Sequence, residues 1–276
     1  MKKSYTIGFS PCPNDTFIFD AMIHNRLQEN EHWTTHLLDV EALNKNAAEG
    51  MYDVTKMSFA AYSLVADKYQ ILNSGSALGR GCGPLIISKS PLTLEELKDK
   101  TIAIPGARTT ANLLMSIFVP ECKSKLEMVF SDIEDAVLNG RCDAGLIIHE
   151  NRFTYQQKGL FKVADLGELW ENKTGLPIPL GCIAVKRSLP EEEKHHIDTL
   201  IRQSVEFAFA NPDASKDYIA QHAQEMNSEV QQQHIDLYVN EFSVTLGQDG
   251  KRAIETLFNE GFKAGIIPEI SEPIFI

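Results

Sequence analysis

His149 is the residue best placed in this chain to move protons at neutral pH. It follows the apolar run Ala144-Gly145-Leu146-Ile147-Ile148, which reads as a strand, so the imidazole is expected at that strand's carboxyl end. A histidine there exchanges protons near neutrality and suits a general base. The plainer alternative is a core or surface histidine held by a hydrogen bond. Glu150, next along the chain, either orients the ring or caps the following helix.

Other patches occupy equivalent places. Ser10 to Thr16 leaves a first strand and enters a helix, Lys56-Met57-Ser58 closes another strand, and Thr109-Thr110-Ala111 opens a helix. Helix N-termini carry free backbone N–H groups, which hold a carboxylate without a large positive charge. Ser10, Asn14, Lys56, Met57, Ser58, Thr109, Thr110 and Ala111 are therefore the candidate contacts for a small anionic metabolite, with Lys56 adding a point charge.

Weaker signals point elsewhere. His32 and His36 lack the glutamate of a His-Glu-x-x-His motif and lie in a strand-like segment, so no metal site is expected. His195-His196 beside glutamates reads as a solvated helix face, and Cys12 between two prolines as a packing residue. Gly79-Arg80-Gly81-Cys82-Gly83 lacks the Gly-Lys-Ser/Thr ending of a phosphate loop and reads as a turn, from which Arg80 could still reach a ligand.

The elements that must position these groups alternate strand and helix. Tyr5 to Phe9 is the first strand, and Asn14 or Asp15 caps a helix that buries Phe17, Ile18, Ala21 and Met22. The plan recurs with Thr101 to Ile104, the turn Pro105-Gly106, and a helix capped by Thr109 or Thr110 that buries Leu113, Leu114, Ile117 and Phe118. Gly50 and Gly140 each end a helix and lead into an apolar strand, and Ser131-Asp132-Ile133-Glu134 fits a capping box. Pro190 and three glutamates open a long helix that buries Ile197, Leu200, Ile201, Val205 and Ala208.

Such alternation predicts an α/β fold with largely parallel sheets in two lobes. The strand at 83–88 reads as leaving the first lobe and that at 180–185 as returning. The expected division is thus 1–88 plus 186–276 for a discontinuous first lobe and 89–185 for an inserted second. Ligands of open α/β sheets sit beyond the strands' carboxyl ends, so the cleft between lobes is the expected site.

Composition sets the class. The chain has 276 residues, 43% hydrophobic and 23% charged, in keeping with a globular protein large enough for a substantial core. A net charge of -12 argues against nucleic acid and anionic membrane surfaces as partners. No apolar run spans a bilayer, and Pro11, Pro13, Asn14 and Asp15 break any leader-like start. Five cysteines without a Cys-x-x-Cys pair favour reduced thiols, and the expected location is the cytoplasm.

At these patches the chain resembles a known family. Gly8-Phe9-Ser10-Pro11-Cys12-Pro13-Asn14-Asp15-Thr16-Phe17 and Asp143-Ala144-Gly145-Leu146-Ile147-Ile148-His149-Glu150 look like signatures of the 1,4-dihydroxy-6-naphthoate synthases of the futalosine route to menaquinone. Asp53 to Ser58 and the helix start at Thr109 to Leu113 extend the resemblance over nearly the whole chain, although the C-terminal third carries little signature of its own. It implies a two-lobed, type II periplasmic-binding-protein-like fold used as an enzyme. The implied reaction is a carbon–carbon lyase step that converts cyclic dehypoxanthinyl futalosine to the dihydroxynaphthoate and dihydroxyacetone, with no metal or redox cofactor. By position, His149 matches the family's proton acceptor, and Lys56, Met57, Ser58, Thr109 and Thr110 match its substrate-binding segments. Two alternatives stand beside it: a chorismate dehydratase of the same pathway, and a non-catalytic small-anion binding protein.

Overall fold

The computed structural model describes residues 3–27 and 31–276; Met1 and Lys2, part of the opening segment weighed above, and residues 28–30 lie outside the described residues. The first unit follows the expected plan. Strand β1 (Ser4–Phe9) leads into helix α1 (Pro13–Ile23), β2 (His32–Leu37) into α2 (Val40–Ala48), and β3 (Val54–Ser58) into the short α3 (Phe59–Tyr62), before β4 (Tyr69–Ile71) and β5 (Ala77–Gly79). β1 pairs in parallel with both β2 and β3.

The second unit holds β6 (Leu85–Ser88), β7 (Ile102–Ile104), α4 (Thr110–Phe118), β8 (Lys125–Glu127), α5 (Ile133–Leu138), β9 (Ala144–Ile147), α6 (Asn151–Thr154), β10 (Phe161–Asp165) and α7 (Leu166–Thr174). Its sheet runs β10-β6-β9-β7-β8. The chain then returns through β11 (Ile178–Lys186) and finishes in α8 (Glu191–Ala210), α9 (Lys216–His222), α10 (Ser228–Tyr238), α11 (Glu241–Val244) and α12 (Gly247–Lys263).

Hydrogen-bond pairing moves both ends of the expected division. β6, assigned above to the first lobe, lies between β9 and β10 of the second sheet; β11, assigned to the inserted lobe, pairs with β3, β4 and β5 of the first. Each adjoins a crossover and is apolar on both faces, so its composition does not say which sheet it joins. Both run antiparallel to each strand they pair with, which makes the sheets mixed rather than largely parallel. At the outward crossover Gly83 lies against Gly167, where an added Cβ would sit 2.2 Å from the Gly167 backbone nitrogen. Only a residue without a side chain allows α7 to start so close to the strand.

Two local expectations change as well. No capping box forms at Ser131, because Phe130–Asp132 is a 3-10 turn and Asp132 makes no side-chain cap to α5. Neither Asn14 nor Asp15 caps α1, which begins one residue earlier at Pro13, so both sit inside its first turn with their side chains free for other partners. The expected cap at Thr109 is present, and Gly50 and Gly140 take the left-handed φ of 66° and 71°.

The core explains why the lobes hold together. Around β1 and α8, Ile7, Phe9, Phe19, Ile197 and Ile201 are fully buried in a first-lobe cluster. A second cluster runs across the crossovers, joining Met57 and Tyr62 to Leu114, Leu146, Trp170 and Phe258. Full burial of each large apolar side chain contributes about 1.5–3 kcal/mol, so a continuous cluster of this kind ties the lobes over the cleft floor. α12 supplies Phe258 against Phe59 and Tyr62 on one side, and its Gly261 approaches Leu113 of α4 on the other.

Candidate active site

Every contact expected from sequence faces one cavity of about 680 Å³ between the lobes. Ser10 and Asn14 enter from the β1–α1 connection, Lys56, Met57 and Ser58 from the end of β3, Thr109, Thr110 and Ala111 from the start of α4, and His149 from beyond β9. Tyr238, Leu180, Ile148 and Cys82 complete a largely apolar lining. An apolar cleft with a few convergent polar groups suits a small organic ligand.

On the α4 wall the polar groups are neutral. Thr109 Oγ1 accepts from the Asn112 N–H at 3.2 Å and donates to Gly106 O at 2.8 Å, which fixes the helix start. Thr110 Oγ1 donates to Leu180 O at 2.6 Å, tying α4 to β11 of the other sheet. Ser58 is held by Asn44, whose Oδ1 accepts from the Ser58 N–H at 2.9 Å and whose Nδ2 reaches both Ser58 Oγ and Arg108 O. Asn44 therefore links the lobes at the cleft edge.

The opposite wall gathers buried ionisable groups. Lys56 forms a salt bridge with Asp15 Oδ1, both side chains being almost wholly buried. Asp15 Oδ2 accepts from the N–H and the hydroxyl of Ser10, at 3.1 and 2.7 Å. Asn14 Nδ2 donates to Asp15 Oδ1 at 2.8 Å, and Asn14 Oδ1 lies 2.9 Å from His234 Nε2. Lys56 is thus neutralised by Asp15 rather than presented as the free point charge expected from sequence.

His149 leans over this network. Its backbone takes φ 57°, the left-handed region, directly after β9 and before α6. That conformation is uncommon for any residue but glycine, although histidine is among those enriched in it, and it concentrates at functional sites. The ring stacks on His234 with centroids 5.8 Å apart and planes at 16°, and tilts against Phe130 at 4.9 Å. One edge remains open to the cavity. Burial pushes its pKa down to about 4, with Asp15 opposing and Lys56 adding to the shift. At neutral pH the imidazole is uncharged and keeps a nitrogen lone pair for a proton.

Cys12 Sγ, a ring nitrogen of His149 and a carboxylate oxygen of Glu150 lie within 4.8 Å of one another. Burial holds the Cys12 thiol well above its usual value, so it stays protonated and fits the packing role rather than a nucleophile.

The menaquinone biosynthesis family model matches residues 5–263. Two curated relatives are named 1,4-dihydroxy-6-naphtoate synthase. That of Thermus thermophilus is 45% identical over 99% of this chain and 100% of its own length; that of Streptomyces coelicolor is 44% identical over 96% and 95%. The chain belongs to the 1,4-dihydroxy-6-naphthoate synthase family of menaquinone biosynthesis. A crystal structure of a protein from Archaeoglobus fulgidus superposes with a TM-score of 0.91 at 35% identity, covering 96% of this chain and 98% of that one. The alkanesulfonate-binding protein of Xanthomonas axonopodis pv. citri superposes at 0.72 with 16% identity, covering 97% and 95%, and shares the fold alone. The chain has the two-lobed, type II periplasmic-binding-protein-like fold.

In this family member, the groups that surround the candidate base were the least visible in sequence. Asp15 stood in the right patch but read as a helix cap, and its partner Lys56 is 41 positions away. His234 comes from α10, in the C-terminal third, where a histidine beside Ile235 and near Tyr238 was the available signal; the structure buries it fully. Asn44 gave none. Arg80 bonds Glu171 and the Gly175 carbonyl at the exposed crossover and takes no part in the cavity. Among the described residues no helix is long and apolar enough to cross a membrane.

Proposed function

We propose that this protein is a lyase that converts cyclic dehypoxanthinyl futalosine to 1,4-dihydroxy-6-naphthoate and dihydroxyacetone, with His149 as general base. The observation that carries the reading is a desolvated imidazole held at a strand end in a left-handed conformation, facing the cavity between the lobes. Family membership supports this choice of substrate. The rival chorismate dehydratase finds no such support, since both curated relatives carry the naphtoate synthase name. The binding-protein rival rests on a likeness of fold alone.

The reaction asks for little beyond a base and a shaped, dry cavity. His149 takes a proton from a substrate hydroxyl, the oxygen's electrons form a carbonyl as the adjacent carbon–carbon bond breaks, and the remaining ring system becomes aromatic. Atoms of the one substrate divide between the two products. The free N–H groups of Thr110 and Ala111 at the start of α4 hold the substrate carboxylate; Lys56, already paired with Asp15, contributes through a neutral ion pair. The apolar lining excludes water and strengthens each of these contacts.

Mixing the purified protein with the cyclic futalosine derivative tests substrate and reaction together. Appearance of dihydroxynaphthoate absorbance with an equal amount of dihydroxyacetone is the expected result; return of the compound unchanged would sink the proposal.

A further inference from the structure

His234 and Glu150 face one another in the least exposed part of the site. His234 is 0% exposed and Glu150 6%, and neither lines the cavity. His234 Nδ1 and Glu150 Oε2 are 3.6 Å apart, and each is a buried polar atom without a hydrogen-bond partner. Leaving two such atoms unsatisfied costs roughly 1–3 kcal/mol apiece, so a shared proton that satisfies both is strongly favoured.

The neighbouring hydrogen bonds say where that proton sits. Asn14 gives its Nδ2 to Asp15, so its Oδ1 accepts and His234 Nε2 must carry a hydrogen. A neutral His234 is then left with a bare lone pair on Nδ1. An ionised Glu150 would set a second lone pair against it.

We infer that Glu150 is a protonated carboxylic acid that donates to His234 Nδ1, and that this neutral pair is the positioning unit against which His149 stacks. This deepens the reading of His149 as base and rests on it for the effect on rate. The groups that face the pair agree. Burial foremost, then the charges of Glu225 and Glu134, raise the Glu150 pKa; burial, with the Lys56 charge adding to it, lowers that of His234; His149, Cys12 and Tyr238, also packed nearby, are neutral. Both shifts oppose an ion pair. Neutrality here also leaves the Lys56–Asp15 pair as the balanced charge of this wall, so the cleft floor does not repel an anionic substrate.

The proton is read directly by infrared difference spectroscopy at neutral pH between the wild type and Glu150→Gln, which isolates Glu150 from Glu41, a second buried carboxyl whose pKa burial raises. A protonated-acid carbonyl band lost in the variant, with a His234 ¹⁵N signature of an Nε2–H tautomer, is expected. Glutamine still donates to Nδ1, so single-turnover cleavage by Glu150→Gln stays close to wild type. Glu150→Leu removes the donor, lets His149 shift, and lowers kcat by about 10²-fold with KM unchanged. No acid band from Glu150, or a glutamine variant as slow as the leucine one, would overturn the inference by showing that an ionised carboxylate is present or required. The spectra need no substrate, so a wild type that fails to turn over the futalosine derivative defeats the proposed reaction and leaves the proton's location decided. Should Glu150→Leu fail to fold, the spectra and the glutamine variant still decide it.

Discussion

The two walls of the cleft solve opposite electrostatic problems. The α4 wall lines the cavity with hydroxyls and backbone N–H groups, from Thr109, Thr110 and Ala111, and carries no net charge. The wall of α1, β3 and α10 buries Lys56, Asp15 and His234 under His149 and ties them into one network. The difference separates two tasks. Holding an anion requires only oriented dipoles, which keep their strength without the cost of burying a charge. Tuning a base requires buried titratable groups, because only desolvation and close charges move a pKa far.

If that division is right, the largest effect falls on the base. His149→Asn should lower the single-turnover cleavage rate by about 10²–10⁴-fold with little change in substrate affinity, as measured by rapid quench. Cleavage at the wild-type rate by a folded variant removes His149 from the chemistry.

Next comes the charge network. Lys56→Met strands the Asp15 carboxylate, whose side chain is 1% exposed, and should cost about 3–5 kcal/mol in denaturant unfolding. Adding Asp15→Asn should restore much of that stability. Equal losses in the single and double variants would mean that packing, not the unpaired charge, is responsible.

The pH dependence sharpens the same contrast. Protonation removes the lone pair, so kcat/KM should be full at neutral pH and fall only as pH drops through about 4, not near 6.5. Stability carries the matching sign. Unfolded His149 takes a proton at about 6.5 and folded His149 at about 4, so the unfolded chain binds more protons between them and stability falls as pH drops through that window. An acid limb near 6.5 would show that the ring is not desolvated.

The smallest effect belongs to the dipole wall. Thr109→Ala removes the α4 cap and should cost about 1 kcal/mol of stability, with KM rising and kcat held. A fall in kcat alone would place Thr109 among the groups that act on the reacting atoms.

Much of this arrangement was legible in the residues themselves. Ile197, Leu200, Ile201, Val205 and Ala208 are buried along α8 as their spacing requires, and Gly50 and Gly140 end their helices in left-handed turns. Strand ends and helix starts are local features, so the sequence placed all of the expected contacts and His149 on the cavity wall. Local pattern failed where an apolar strand had two sheets to choose between, as for β6 and β11, because pairing is decided by partners far along the chain.

The same reason limits the site. The chain alone determined that a histidine follows β9, that threonines open α4 and that Lys56 closes β3. Only the tertiary structure decided that Lys56 meets Asp15, that His234 arrives from α10 beneath His149, and that Glu150 turns toward it rather than capping α6. Burial and proximity set protonation, and both come into being only when segments distant in sequence close around the same space.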